Sequence, residues 1–238
     1  MSLDGYIDDR SDQPLRLSGA ADGDRVDELR ASCDAILVGA ATIRADDPVL
    51  LLRSQDRRDL RAASGLAPDP IRVVISASGD LDPAARLFTT GGDRIVYVAS
   101  DALARAKERL AGGSEVVDAG DPLVLGRVVA DLAARGVCRL LVEGGGRTHT
   151  QFLVAGLADE LRLSVAPFFI GDSSAPRFVE DGRFPWDQAH RAKLAGVTTA
   201  GDMAVLSYAL SDRYDQYKRH NPHDVHDQRQ PQRPSQRR

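Results

Sequence analysis

The strongest constraint on the fold is a change of pattern along the chain. Through about residue 155, short aliphatic runs of strand length (35–38, 71–75, 94–98, 115–117 and 139–142) alternate with stretches of helical spacing (24–32, 40–45, 102–110, 122–135 and 148–155). Strands that are apolar throughout suit burial on both faces, and βα alternation predicts a parallel sheet flanked by helices on both sides. The pattern then switches. Residues 160–166 alternate as a half-exposed strand, and 193–199 and 203–210 read as strands joined by Ala200-Gly201-Asp202, a hairpin signal. The expectation is an α/β chain with a mostly parallel mixed sheet, helices on both faces and antiparallel C-terminal strands. No internal repeat is present.

Local signals set the boundaries. Gly39 ends the first run, and Asp47-Pro48 stops the short helix after it. Asp101 is placed to cap the helix over 102–110, while Asp121 precedes and Gly136 follows the longer helix over 122–135. Residues 53–70 are charged and irregular, which predicts a surface connection.

Composition narrows the function classes. With 42% hydrophobic residues the chain can bury a full core. No apolar run reaches the ~18 residues of a membrane span. The first ten residues carry acid without the apolar centre of a secretory signal, so a cytoplasmic protein is expected. Cys33 and Cys138 are too few for a disulfide scaffold, and both read as buried thiols. The formal charge of −4 gives no reason to expect nucleic acid as a partner. Residues 211–238 carry +3, which leaves −7 on 1–210. Val225 is the only aliphatic residue of that polar stretch, so the expected organisation is one domain over 1–210 and a disordered tail. His220, His223 and His226 recur at a spacing of three, but a solvated tail explains them better than a metal site, and none is expected.

Three segments carry candidate chemistry. Ser2-Leu3-Asp4-Gly5-Tyr6-Ile7 opens the chain. Val38-Gly39-Ala40-Ala41-Thr42-Ile43-Arg44-Ala45-Asp46-Asp47-Pro48-Val49-Leu50 leaves the first strand through a glycine. Val142-Glu143-Gly144-Gly145-Gly146-Arg147-Thr148 joins a strand to a helix through three glycines. Glycine lets backbone approach an anion closely, and the following helix offers free N–H groups and the positive end of its dipole. That arrangement suits a pyrophosphate; a tight turn without ligand would look the same. It is not the spaced G-x-G-x-x-G fingerprint. Thr42 and Asp46 lie four apart, on one helical face, where a hydroxyl and a carboxylate can hold ribose or carboxamide groups, or simply face solvent.

Taken together, the three segments resemble the reductase domain of riboflavin biosynthesis, a dihydrofolate-reductase-like family, over about residues 1–210. The resemblance implies a homodimeric NADPH-dependent oxidoreductase. Its reaction reduces the ribosylamino group of a pyrimidine ribosylamine 5′-phosphate to ribitylamino. It implies cofactor contacts at Thr42, Asp46, Gly144, Gly145, Gly146, Arg147 and Thr148, within a pyrophosphate loop and helix start that reach Gln151. It also implies substrate contacts at Arg30, Leu50, Arg53 and Glu143, and a catalytic or orienting role for Asp4 and Glu143. The resemblance is incomplete. The family carries an apolar strand before the first motif, whereas Met1 lies inside that motif, so a truncated first strand is expected. Tyr6 stands where the family often has Lys or Arg, and Ala77, beside Ser76 and Ser78, where several relatives have Ser. No H-x-E or P-C-x-x-C pair accompanies these motifs, so the deaminase chemistry often fused to this family is absent from the chain. Two other readings stay open: a reductase of another heterocycle, such as a pterin or a secondary-metabolite precursor, and a non-catalytic nucleotide-binding module.

Overall fold

The computed structural model describes residues 1–9, 11 and 15–215. Helices α1 (Ala20–Ala31), α2 (Ala40–Asp46), α3 (Gln55–Ala63), α4 (Arg86–Thr89), α5 (Leu103–Arg109), α6 (Leu125–Ala134) and α7 (Gly146–Val154) alternate with strands β1 (Ala35–Gly39), β2 (Ile71–Ser76), β3 (Arg94–Val98), β4 (Glu115–Asp118) and β5 (Leu140–Gly144). These strands form one parallel sheet in the order β4-β3-β2-β1-β5. β1 is the most thoroughly enclosed, and all five of its residues are buried.

The sheet is covered on both faces, as the continuous apolar runs require. On one face Ile36, Val38, Val74 and Val96 pack with Ile43 of α2, Leu87 of α4 and Ala106 of α5. On the other, Leu37, Val73, Ile95 and Tyr97 pack with Val128 and Leu132 of α6 and Phe152 of α7. The antiparallel strands come last: β6 (Glu160–Val165), β7 (Lys193–Ala200) and β8 (Met203–Ala209). They hydrogen-bond to one another as a three-stranded sheet in the order β6-β8-β7, and Ala200 pairs with Met203 across the hairpin turn. Helix α1 bridges the two sheets. Its Arg25 donates to Ser164 of β6 at 2.6 Å, while its Arg30 reaches Glu143 of β5. The Met1 amino group donates to the Ser164 carbonyl at 2.6 Å, and the Ala166 N–H donates to the Met1 carbonyl at 2.8 Å, so Met1 runs beside the end of β6.

Several local expectations are corrected. Residues 53–70 contain helix α3, which its sequence hides because Leu60 is the only large aliphatic residue in it, and that residue faces solvent. The helix is held by ion pairs instead: Arg57 to Asp24 and Asp27, and Arg58 to Asp69. Asp101 does not cap α5; it lies inside a 3-10 turn, Ser100–Ala102, and no side chain caps the helix that follows. Cys33 is buried at 1% exposure, and burial pushes its thiol up to about 11, but Cys138 is exposed just before β5. The stretch read as a tail begins with ordered contacts. Ser211 and Arg213 both donate to Asp159, and Tyr214 is buried. His220, His223 and His226 lie outside the described residues, among which no metal-binding group of side chains is found and no helix is long and apolar enough to cross a membrane.

Candidate functional site

The parallel pairing of β1 with β5 places the second and third motifs side by side. Val38 pairs with Gly144, so both strands end at the same edge and release α2 and α7 there. Ligands of open α/β sheets bind at such carboxyl ends. The glycines are required by what surrounds them. A Cβ on Gly39 would run into Thr148 Oγ1, and one on Gly146 would run into the Arg177 carbonyl oxygen. A Cβ on Gly145 would stand 3.5 Å from Thr42 Oγ1, so Thr42 lies against the glycine turn. Gly144 has φ +124°, a conformation other residues rarely adopt. Thr42 is half-buried and Thr148 is buried, while Asp46 and Arg147 are exposed. Partial desolvation, and then the neighbouring Asp8 carboxylate, hold the Asp46 carboxyl above its usual range.

The first motif reaches this turn through a segment that the sequence left without a role. The Ile7 N–H donates to the Pro176 carbonyl at 2.8 Å, and the Phe178 N–H donates to the Gly5 carbonyl at 3.2 Å. Arg177 Nη2 donates to the Tyr6 hydroxyl at 3.1 Å, with the guanidinium 4.9 Å from the Tyr6 ring centre. On its other side the segment clasps α7. The Phe178 carbonyl meets His149 Nδ1 at 3.0 Å, and the Glu180 N–H donates to Thr150 Oγ1 at 2.7 Å. Burial keeps the His149 imidazole below its ordinary pKa, which favours the neutral ring.

Asp4 is engaged as an acceptor. Its carboxylate takes hydrogen bonds from Ser2 Oγ at 2.6 Å, the Gly171 N–H at 2.8 Å and the Ile170 N–H at 3.2 Å. The Ser2 bond is the largest cause holding its pKa down to about 2. A group ionised that far into acid cannot serve as a proton donor at neutral pH. These bonds tie Asp4 to the 170–171 loop.

Arg30 and Glu143 meet directly. Arg30 Nε and Nη2 donate to the two carboxylate oxygens at 2.6 Å each, a planar two-point pair between α1 and the strand residue that precedes the glycine turn. Arg53 stands at the entrance to α3, beside Asp27 and Gly23 of α1, with its side chain 64% exposed. Leu50 differs from the other expected substrate residues. Its side chain belongs to the core at 4% exposure, and it has φ 56°, in the left-handed region. What Leu50 can offer a ligand is backbone and shape.

Sequence reading missed the residues that build the 47–54 loop. Arg72 Nη1 donates to the Val49 carbonyl at 3.1 Å, Asp69 accepts the Leu52 N–H at 2.8 Å, and Asp27 accepts the Arg53 N–H at 2.7 Å. Burial alone would raise the Asp27 carboxyl, but hydrogen bonds from Arg53, Arg57 and Ser54 outweigh it and hold the group below the usual carboxylate range. The one sequence signal was two charged residues standing within runs of regular structure, Asp27 in a helical stretch and Arg72 in an aliphatic one.

Comparison with known proteins identifies the family. A family described as the RibD C-terminal domain matches residues 1–206. The 2,5-diamino-6-ribosylamino-4(3H)-pyrimidinone 5′-phosphate reductase of Archaeoglobus fulgidus is 36% identical over 77% of this chain and 84% of its own length. The protein of that name from Methanothermobacter thermautotrophicus is 33% identical over 88% of this chain and 94% of its own. In fold, the chain is similar to a crystallised pyrimidine reductase-like protein from Corynebacterium diphtheriae, with a TM-score of 0.73 at 22% identity, covering 87% of this chain and 88% of that one.

Proposed function

The chain belongs to the RibD C-terminal domain family, and from that premise we propose that it is an NADPH-dependent reductase of riboflavin biosynthesis. It converts the ribosylamino group of a pyrimidine ribosylamine 5′-phosphate to ribitylamino. The observation that carries the reading is the meeting of Thr42 with the glycine turn at the paired ends of β1 and β5. The names of the two archaeal relatives favour the diaminopyrimidinone over its deaminated form and over an unrelated heterocycle.

The residues present fit a dinucleotide. Gly39 and Gly146 are required by Thr148 and Arg177, but at Gly145 a Cβ would meet nothing nearer than Thr42 Oγ1 at 3.5 Å, which leaves the backbone there open to an approaching pyrophosphate. Gly144, Gly145, Gly146 and the N–H groups that open α7 hold the pyrophosphate. Arg147 and Thr148 extend that contact, and Thr42 with Asp46 orients the nicotinamide half. NADPH, when bound, supplies the hydride that adds to C1′ once the sugar ring has opened to an imine; a proton joins the imine nitrogen.

The chain's own groups position the substrate. Arg53 and Arg30 face the 5′-phosphate, since arginine makes charge-assisted bonds to such groups. Glu143, held by Arg30, accepts N–H groups of the pyrimidine. Asp4 acts at one remove, through the loop it anchors. We place the enzyme in the cytoplasm, where its two free thiols stay reduced.

We also propose a homodimer through the C-terminal sheet. Leu194 and Val197 of β7 are 53% and 58% exposed. They share a face with half-buried Leu161, Leu163, Leu206 and Tyr208, and an apolar sheet face of this kind marks an interface. Sedimentation of Val197→Asp against the parent chain tests it: a dimeric parent and a monomeric variant are expected.

The test of the reaction is NADPH oxidation with the aminated and the deaminated ribosylamine 5′-phosphates. Turnover with the aminated form is expected, and Thr42→Ala should weaken NADPH in direct titration. Binding of NADPH without turnover on either pyrimidine would overturn the assignment in favour of a non-catalytic module.

A further inference from the structure

This inference rests on the reading of Arg30 and Arg53 as contacts to the substrate phosphate. Asp27 lies on α1, one turn before Arg30, and is 1% exposed. Its Oδ1 accepts the Arg53 N–H at 2.7 Å, and its Oδ2 accepts the Ser54 N–H at 3.2 Å and Arg57 Nη1 at 3.0 Å. Arg53 Nε stands 3.8 Å from Oδ1, and Arg53 Nη2 donates to the Gly23 carbonyl, also on α1. Helix α1 therefore holds Arg53 at both its backbone and its guanidinium. The same helix carries Arg30, which Glu143 fixes to β5.

A helix cap does not account for this. Ser54 already caps α3, accepting the Arg57 N–H at 3.4 Å. Asp27 is a second acceptor, brought from another helix, and burying a carboxylate is costly unless every bond is made. The bonds go to the end of a loop that has no regular structure of its own between α2 and α3. Without them the loop would still be held by Arg72 at Val49 and by Asp69 at Leu52, and α3 by the Arg57–Asp24 pair. The Arg53 N–H, however, would lose its acceptor on α1, and misplacement by an ångström is enough to lose much of a positioned contact.

We propose that Asp27 is a positioning residue for the substrate phosphate: by docking the start of α3 onto α1, it sets the spacing between Arg30 and Arg53. It does not touch the substrate.

The test uses the whole chain with Asp27→Ala and Asp27→Asn, each in the parent and in an Arg53→Ala background. KM and kcat are measured with the diaminopyrimidinone ribosylamine 5′-phosphate and with its dephosphorylated form, and NADPH affinity is measured by direct titration. Asp27→Ala should raise KM for the phosphorylated substrate roughly tenfold, with kcat and NADPH affinity changed by less than about twofold. Asp27→Asn, which keeps one acceptor oxygen, should fall between. Neither change should matter on the dephosphorylated substrate, and neither should add to the loss in Arg53→Ala. An additive loss, an equal loss without the phosphate, a parallel fall in NADPH affinity, or an unchanged KM would each overturn the proposal. If Asp27→Ala does not fold, Asp27→Asn carries the same comparisons. If Arg53→Ala itself leaves KM for the phosphorylated substrate unchanged, the phosphate reading fails and takes this inference with it. If Arg53→Ala raises KM while both Asp27 variants do not, the positioning role alone fails.

Discussion

Arg30 and Glu143 form a two-point ion pair, 2.6 Å at each contact, with only 19% and 17% of their side chains exposed. The pair joins α1 to the residue before the glycine turn, so the arginine expected to meet the substrate is itself held by a carboxylate of the site. Breaking the pair from one side leaves a mostly buried charge without its partner, at a cost of roughly 1–3 kcal/mol. Arg30→Met should therefore destabilise the fold by that amount in urea, and Arg30→Met with Glu143→Gln by less than the sum of the single changes. Strict additivity in the cycle would mean that the pair does not form in solution. In kinetics, Arg30→Met should lower kcat/KM by roughly ten- to a hundredfold.

Gly146 is fixed by a neighbour rather than by its own torsions. A methyl group there would overlap the Arg177 carbonyl oxygen, which is backbone and cannot swing away. Gly146→Ala should push the 176–178 segment off α7 and cost roughly 1–3 kcal/mol, as overpacking does. The first motif hangs on the same segment, through Gly5 and Ile7. NADPH affinity should fall together with stability. A variant with normal stability and normal NADPH affinity would show that the clasp is loose.

Asp4 gives a pH prediction with a definite sign. Its folded pKa is about 2, below the ordinary 3.8. A depressed carboxyl stabilises the fold above its unfolded pKa, and that contribution is lost as pH falls through the folded value. The loss belongs between pH 3.8 and about 2, and Asp4→Asn should remove only that part of the acid transition. Across roughly pH 5 to 9 the rate profile of Asp4→Asn should keep the shape of the parent's, because Asp4 is ionised throughout. A limb that disappears from that window would make Asp4 a proton-transfer group.

How much of this could be read from sequence follows from which signals are local. β1 was legible because a strand buried on both faces is apolar without interruption, as Ala35-Ile36-Leu37-Val38 shows. β4 and β5, whose ends are charged or only partly buried, were legible from a short aliphatic centre bounded by turn residues. The glycine turn and the Thr42–Asp46 face were legible because each is a strand-to-helix junction written within ten residues. Helix α3 was not, since ion pairs to α1 and Asp69 hold it and leave no apolar period. Asp4 was visible as a motif residue, but its donors, Ile170 and Gly171, come from a loop with no pattern. Tyr6 and Arg177 lie 171 residues apart, and nothing in either neighbourhood points to the other. Leu50 illustrates the converse: its position was flagged, while its side chain went to the core.

Arg72 is a buried charge whose partners can be tested. It is fully buried on β2 and, among the described residues, faces no carboxylate at hydrogen-bond distance; its bonds go to the carbonyls of Val49, Leu87, Thr90, Gly91 and Gly92 and to Thr90 Oγ1. Nε has no partner. Burial, and then the nearby Arg94, lower its pKa to about 10, so it stays charged at neutral pH. Replacing it by Met fills much of the same volume but strands these acceptors, and a buried acceptor left unsatisfied costs roughly 1–3 kcal/mol. Arg72→Lys offers a point charge in place of a planar fork and should recover only part of that loss. The kinetic consequence follows from Val49. Its carbonyl is held just before Leu50, whose left-handed backbone is maintained only while its surroundings over-determine it. Arg72→Lys should therefore raise the substrate KM more than it weakens NADPH, because the 47–54 loop relaxes while the glycine turn on β5 does not. Equal losses for substrate and cofactor would mean that Arg72 supports the sheet as a whole and has no particular hold on the loop.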